Sequence, residues 1–264
     1  MHDAQADAGW SWNDRARQPW ATLSSWLVLS GESLATGKTL HGWPVMAIPV
    51  RYGPFALQLI CHKRLNSSLR RTGDRAGRYQ YLVLPLARVS GIESPALQAP
   101  DAPNYFADAW AARFYVEAAL HASLPRDSLS LVVNSAPGRS QDQSHIHVDC
   151  IRPDVRATLR HLLPAITGQW HPLSDPLPPH RHDYQARWVD GETLAVDPFK
   201  VLAEALPHGD TMASHSLVVV GAYSPDGHPG FILLSGHADP ARGDRGSGDE
   251  LQDLDCTITM HPGL

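Results

Sequence analysis

The sequence predicts an α+β fold in which an antiparallel sheet carries flanking helices. Two pairs of apolar, β-branched runs meet across short turns: SLSLVVNS with QSHIHVDC across PGRS, and SLVVVGAY with FILLSG across PDGHPG. Strands joined by so few residues pair antiparallel. Between these hairpins lie segments whose apolar residues recur at helical spacing, which argues for helices inserted among antiparallel strands rather than a regular parallel βαβ winding.

Taken in order, residues 1–73 are unassigned: they hold five scattered Trp, short apolar runs and a basic tail, CHKRLNSSLRR. Within them GESLATGKT has five residues between Gly31 and Gly37, where a phosphate-binding loop of the GxxxxGK type needs four. The amide cradle of such a loop depends on that count, so the stretch is not assigned as one. From Asp74 the pattern sharpens. DRAG is a turn, RYQYLVLPLARV runs as a strand with Pro85 marking its end, and ESPALQAPDAP is a proline-rich connection. NYFADAWAARFYVEAALHASL has helical spacing with Asn104 as its cap, and IRPDVRATLRHLLPAI is a helix with Pro153 in its first turn. HPLSDPLPPHRHD reads as a solvated connector, YQARWV as a short strand, DPFKVLAEALP as a short helix, and the PDGHPG hairpin follows.

The composition narrows the function. Of 264 residues 43% are hydrophobic and 19% charged, as in an ordinary globular protein with ample core. Residues 1–73 carry eight Lys/Arg against four Asp/Glu; the totals of 22 and 27 leave 14 against 23, a balance of −9, from Asp74 onward. That field repels a nucleic-acid backbone and excludes general DNA or RNA binding, while local donors can still hold one small phosphorylated ligand. Cys61, Cys150 and Cys256 are too few and too far apart for a zinc ribbon or CxxC motif, and permit one disulfide and one spare thiol. No apolar run reaches the roughly 18 residues of a membrane span, and WATLSSWLVLS lacks the charged start and cleavage site of a signal peptide.

The residues that suggest chemistry are His145 and His147. On a strand, positions two apart share a face, so both imidazoles point one way while Ile146 and Val148 point the other. Neutral imidazole is a nucleophile and proton carrier at neutral pH and a ligand for transition metals; the pair alone leaves both roles open.

The order GRYQYLVLP, ESPAL, PNYF…AW…AR, VVNS..GR, QSHIHVDCIRPDVR and ELQDLDC resembles the bacterial CDP-diacylglycerol pyrophosphatases, a branch of the histidine-triad (HIT-like) superfamily. The likeness runs from about Asp74 to Thr259, with HIHVDCIRPDVR its most specific piece. It implies a HIT-like catalytic domain over 74–264 and hydrolysis of CDP-diacylglycerol to CMP and phosphatidate through a cytidylyl-histidine, with no metal or other cofactor. On the His-x-His-x-His pattern of that superfamily, Gln143 takes the first position, His145 the central, nucleophilic one and His147 the last. This is a departure from the full triad, and a second register makes His145 first, His147 central and Asp149 last. The resemblance further implies Asn134, Gly138, Arg139 and Ser140 around the phosphate, and His182 and Tyr184 as substrate contacts. It also puts a cysteine at Cys256, for which a bridge to Cys150 is expected.

Such relatives begin with a hydrophobic anchor in the inner membrane and face the periplasm, so a membrane surface is an expected partner. Residues 1–73 match none of that start. The abrupt return of likeness at Asp74 is expected if the stated start follows a shifted frame or a wrong start codon, which translation of the upstream DNA would test. Two other functions fit the same residues. One is a histidine-triad nucleotidyl hydrolase or transferase acting on a soluble nucleotide conjugate. The other is a metal-binding protein using His145, His147, His171, His180 and His182.

Overall fold

The computed structural model describes the backbone of residues 55–59 and residues 79–85, 89–139 and 142–260. Eight strands form one sheet: β1 (Phe55–Leu59), β2 (Tyr81–Pro85), β3 (Leu129–Val133), β4 (Ile146–Cys150), β5 (His171–Pro172), β6 (Tyr184–Asp190), β7 (His215–Tyr223) and β8 (Pro229–His237). Their order is β1-β2-β4-β3-β7-β8-β6-β5, and every pairing is antiparallel. Both predicted hairpins are present, side by side at the centre. Strand β1 lies in the part of the chain that the sequence left unassigned, whereas the Gly31–Gly37 stretch, Cys61 and Ser140 lie outside the described residues.

Among the described residues five helices accompany the sheet: α1 (Pro95–Gln98), α2 (Tyr105–Ala112), α3 (Phe114–Leu120), α4 (Pro153–Leu162) and α5 (Pro198–Ala203). Two departures from the sequence reading have local causes. The proline-rich connection contains α1, because Ser94 caps it by accepting from the Ala96 amide at 3.3 Å and Pro95 fits the first helical position. The long helix expected after Asn104 is divided at Arg113, whose amide and Nη1 both bond the Trp110 carbonyl and tighten the chain there. Asn104 caps α2 as expected, accepting from the Ala107 amide at 3.0 Å. The connector 171–183 holds β5 and a bridge between Leu177 and His182.

Each face of the sheet has its own cover, which is why the central strands are apolar on both sides. Val148, Leu131, Val219 and Leu233 are register partners across one face. On it Trp110 of α2 meets Phe231 edge-on at 5.0 Å and Tyr115 of α3 stacks on Tyr81 at 5.7 Å, while Phe106 joins α2 to Phe199 of α5 at 4.9 Å. The opposite face carries His147, its partner Val132, then Val218 and Leu234. Helix α4 covers the far end of that face, where Leu159 shares a cavity with Val220 and Ile232. The near end is covered by the C-terminal segment. There Gly248 lies so close to the sheet that a Cβ would sit 2.8 Å from Val218 Cγ2, and Gln252 Nε2 donates to Ser130 O at 3.2 Å. A disulfide, Cys150–Cys256, ties this segment to the end of β4. Among the described residues no helix is long and apolar enough to cross a membrane.

Candidate active site

His147 stands in β4 and His145 one residue before it, and their rings pack edge-on with centroids 4.9 Å apart. His145 is buried and His147 half-buried with both ring nitrogens shielded, not exposed on a polar surface as a bare alternation suggests, because the C-terminal segment lies over them. His145 Nδ1 lies 2.7 Å from the Gln143 carbonyl. A carbonyl can only accept, so Nδ1 carries the proton and a neutral ring keeps its lone pair on Nε2. Burial lowers the pKa of His145; the Gln143 bond and nearby Asp249 oppose that shift without reversing it, and Arg139 adds to it. His147 is pushed well below the usual histidine value by burial and by its neighbour His145, and neither ring nitrogen has a hydrogen-bond partner among the described residues. The site therefore holds two neutral imidazoles at physiological pH.

Around them the structure gathers most of the residues singled out from the sequence. Gln143 anchors the approach to β4 by donating from Nε2 to the Pro85 carbonyl at 3.3 Å. Asn134, at the end of β3, accepts from the Asp249 amide at 3.2 Å and returns a side-chain bond to the Asp249 carboxyl. Gly138 lies in the turn between β3 and β4 with its amide 3.1 Å from Ser135 Oγ; a Cβ there would stand 2.9 Å from the carbonyl oxygens of both Arg245 and Gly246. The turn needs glycine because a second loop presses against it. Arg139 donates to Glu93 at 2.7 Å and to Asp142 at 3.0 Å. Burial works against its charge, but these two carboxylates more than offset that and its pKa is raised. His182 and Tyr184 both reach Glu250: His182 Nδ1 at 2.9 Å and the Tyr184 hydroxyl, donating, at 3.0 Å.

Asp149 continues the face of His145 and His147 and is fully buried. Its Oδ1 accepts from the Cys150 amide at 2.8 Å, yet burial and the nearby Asp253 and Asp255 raise its pKa well above the usual value, against the bonds from Cys150 and Gln80. In the second register His147 would be oriented by the His145 carbonyl, as His145 is by Gln143; no such bond is present among the described residues. His145, His147, His171, His180 and His182 do not gather as donors around one point: the groups close enough to share an ion among the described residues are Asp149–Cys150–Cys256, whose cysteines are joined to each other, and Asp210–His215–His237.

Sequence reasoning missed the acidic side of the site. Asp249 and Glu250 lie in a 3-10 turn, Gly248–Leu251, that the glycine-rich loop GDRGSGDE carries onto the sheet. Burial raises the pKa of Asp249 although Asn134 and His145 hold it down, and burial likewise raises Glu250 against its bonds from Tyr184 and His182. The loop is anchored by Ser135, whose amide donates to Gly246 O at 3.0 Å and whose hydroxyl donates to Arg245 O at 2.5 Å. Glycines at 243, 246 and 248 just before a DE pair were the available signal.

An α+β domain that sets two neutral imidazoles, one of them oriented by a backbone carbonyl, at one end of an antiparallel sheet beside carboxyls whose pKa burial raises, is built as a hydrolase. The comparisons give that class its family. The model of the CDP-diacylglycerol pyrophosphatase family matches residues 67–260, beginning before Asp74. A CDP-diacylglycerol pyrophosphatase of Yersinia pestis is 38% identical over 190 residues, 71% of this chain and 71% of that relative. The chain belongs to the CDP-diacylglycerol pyrophosphatase family.

Proposed function

We propose that the chain hydrolyses the pyrophosphate bond of CDP-diacylglycerol to CMP and phosphatidate, with His145 Nε2 as the nucleophile. The observation that carries this reading is the 2.7 Å contact between His145 Nδ1 and the Gln143 carbonyl. It holds one tautomer in one orientation, so the lone pair is aimed without reorganisation during the reaction. In the first step Nε2 attacks the phosphorus bearing the cytidine, the bridging P–O bond breaks, and phosphatidate leaves with the electron pair. The product on the enzyme is a cytidylyl-histidine. In the second step water attacks the same phosphorus, the P–N bond breaks, and CMP departs as His145 recovers its lone pair.

The surrounding residues support positioning and charge spreading, which phosphoryl transfer asks of a protein. His147 is neutral and half-buried, and its ring N–H can donate to a phosphoryl oxygen. The amides of the 135–139 turn are taken up by Gly246 O, Ala213 O and Ser135, so this turn, with Gly138 letting the second loop close on it, shapes the phosphate side of the site, and Ser140 adjoins it in the chain. Arg139, at the end of the turn, is held in one orientation by Glu93 and Asp142. His182 and Tyr184, braced by Glu250, supply donors for the nucleotide part. Asp249 sits where it favours charge on His145, and its raised pKa suits a group that takes a proton from the second-step water. The HIT-like relationship, a membrane surface as the lipid's source and a periplasmic setting complete the proposal.

The test is incubation with labelled CDP-diacylglycerol and CDP-choline in parallel, with acid-stopped and base-stopped samples and with chelator in a duplicate set. The reading predicts CMP from the lipid substrate and an acid-labile, base-stable label on the peptide that contains His145. Equal turnover of both substrates would favour a general nucleotidyl hydrolase. Label on the His147 nitrogen would move the nucleophile, and burst kinetics without any trapped label would refute the covalent route.

A further inference from the structure

The beginning of β7 and the end of β8 meet on the helix-covered face of the sheet, opposite the face that holds His145 and His147. His215 and His237 are register partners there, with ring centroids 4.9 Å apart. Asp210 reaches both from the preceding loop: Oδ2 lies 2.9 Å from His215 Nε2 and Oδ1 3.6 Å from His237 Nε2. One donor atom from each residue lies within 4.8 Å of the others.

We propose that Asp210, His215 and His237 form a binding site for one divalent transition-metal ion of the zinc class, separate from the hydrolytic site. With metal–nitrogen and metal–oxygen bonds of about 2.0–2.2 Å, donors on a tetrahedral ion stand roughly 3.3–3.5 Å apart. The two separations, each to a different oxygen of Asp210, lie on either side of that spacing. The 3.6 Å between His237 and Asp210 is too long for a hydrogen bond but suits two donors that share an ion. Two imidazoles and one carboxylate select zinc and its neighbours over magnesium or calcium, which prefer all-oxygen ligands.

The outer partners fit the same role. Ser235 Oγ lies 2.9 Å from His215 Nδ1, so that nitrogen can donate to the hydroxyl and leave Nε2 for the metal. Asp210 Oδ1 accepts from the Thr211 amide at 2.7 Å, which holds the carboxylate in place. The His237 side chain is 56% exposed, so an ion enters from solvent without opening the fold and keeps water in its remaining position. The site is a clamp by its connections. The Met212–Ser214 turn between Asp210 and His215 accepts from the Ala136 amide at 2.8 Å and from the Ala238 amide at 2.7 Å. Fixing Asp210 to both strands thus braces the 135–139 turn.

The experiment titrates chelator-stripped full-length protein with zinc chloride by calorimetry and counts bound zinc after gel filtration. Wild type should take up one zinc per chain, with a rise in melting temperature. His237→Ala, at an exposed position that leaves the fold intact by circular dichroism, and Asp210→Asn should each weaken binding by more than about 100-fold. Ser235→Ala, which keeps every ligand, should weaken it about 10-fold, as loss of an outer partner does. A His145→Ala/His147→Ala double variant should bind zinc as wild type does. Failure of wild type to bind one equivalent, wild-type binding by His237→Ala, or loss of zinc in the His145/His147 double variant would each overturn the proposal. None of these readouts involves turnover, so the outcome is independent of the proposed hydrolysis.

Discussion

Reducing or deleting the Cys150–Cys256 bridge should lower stability by about 5 kcal/mol while the folded enzyme stays active. The bridge joins residues 106 apart in sequence. Loop-closure entropy for that length is about 16 cal/mol/K, or about 4.8 kcal/mol at 25 °C. For a domain of this size each kcal/mol moves the melting point by about 2–4 °C, so the loss corresponds to about 10–19 °C. The C-terminal segment has other anchors that survive reduction: the Arg152 amide to Leu251 O at 2.9 Å, the Asp253 amide to Cys150 O at 2.9 Å and Gln252 Nε2 to Ser130 O at 3.2 Å. Below its unfolding transition the reduced protein should therefore keep Asp249 and Glu250 over the sheet. The assay is urea unfolding followed by tryptophan fluorescence, with and without reductant, beside a Cys150→Ala/Cys256→Ala variant. Identical midpoints with and without reductant would refute the reasoning, as would alkylation of both cysteines in unreduced, denatured protein from an oxidising compartment.

His145→Ala should cost more than about 1000-fold in turnover, equivalent to about 4 kcal/mol of lost transition-state stabilisation, with unchanged circular dichroism. His147→Ala should cost less, about 100-fold; the reverse order would assign nucleophilic attack to His147. Because burial lowers His145, and His147 further, protonation quenches attack only as pH falls below the ordinary histidine range. The acid limb of kcat/KM should therefore lie below pH 6.5, and a limb at or above that value would contradict the buried neutral pair. Asp149 has a folded pKa raised well above its unfolded value of about 3.9. Its contribution to stability is thus fully present below that pH and is lost as pH rises toward the folded value. Asp149→Asn should flatten this decline and raise the urea midpoint at neutral pH, and an unchanged pH profile would show the carboxylate to be solvated. Gly138→Ala puts a Cβ against two backbone carbonyls and should cost about 1–3 kcal/mol of stability and at least about 10-fold in kcat/KM. Wild-type values in both assays would mean that the two loops separate freely.

The sequence by itself determined the fold class, both central hairpins and the placing of His145 and His147 together on one face. Those properties are local. A run such as SLVVV followed by a six-residue turn closes a hairpin wherever it is put, and His145 and His147 two apart share a face on any strand. The Asn104 cap and Pro153 at the start of α4 are legible for the same reason, since the cap bond closes within one helical turn and the proline ring presets its own φ. The tertiary structure decided what depends on residues far apart in the chain. Whether the imidazoles face water or a cover follows from where 244–256 lies, and that segment reaches them only after about a hundred intervening residues have formed four more strands. Asp249 and Glu250 were marked in sequence only by the glycines before them; they acquire partners only when the glycine-rich loop meets the 135–139 turn. His215 and His237 each read as a strand-end residue until antiparallel register puts them side by side with Asp210. The division at Arg113 and the burial of Asp149 are likewise set by packing. Periodicity records which face a residue takes, but the identity of the neighbour across that face is fixed by pairing between distant strands, where side-chain burial outweighs local preference.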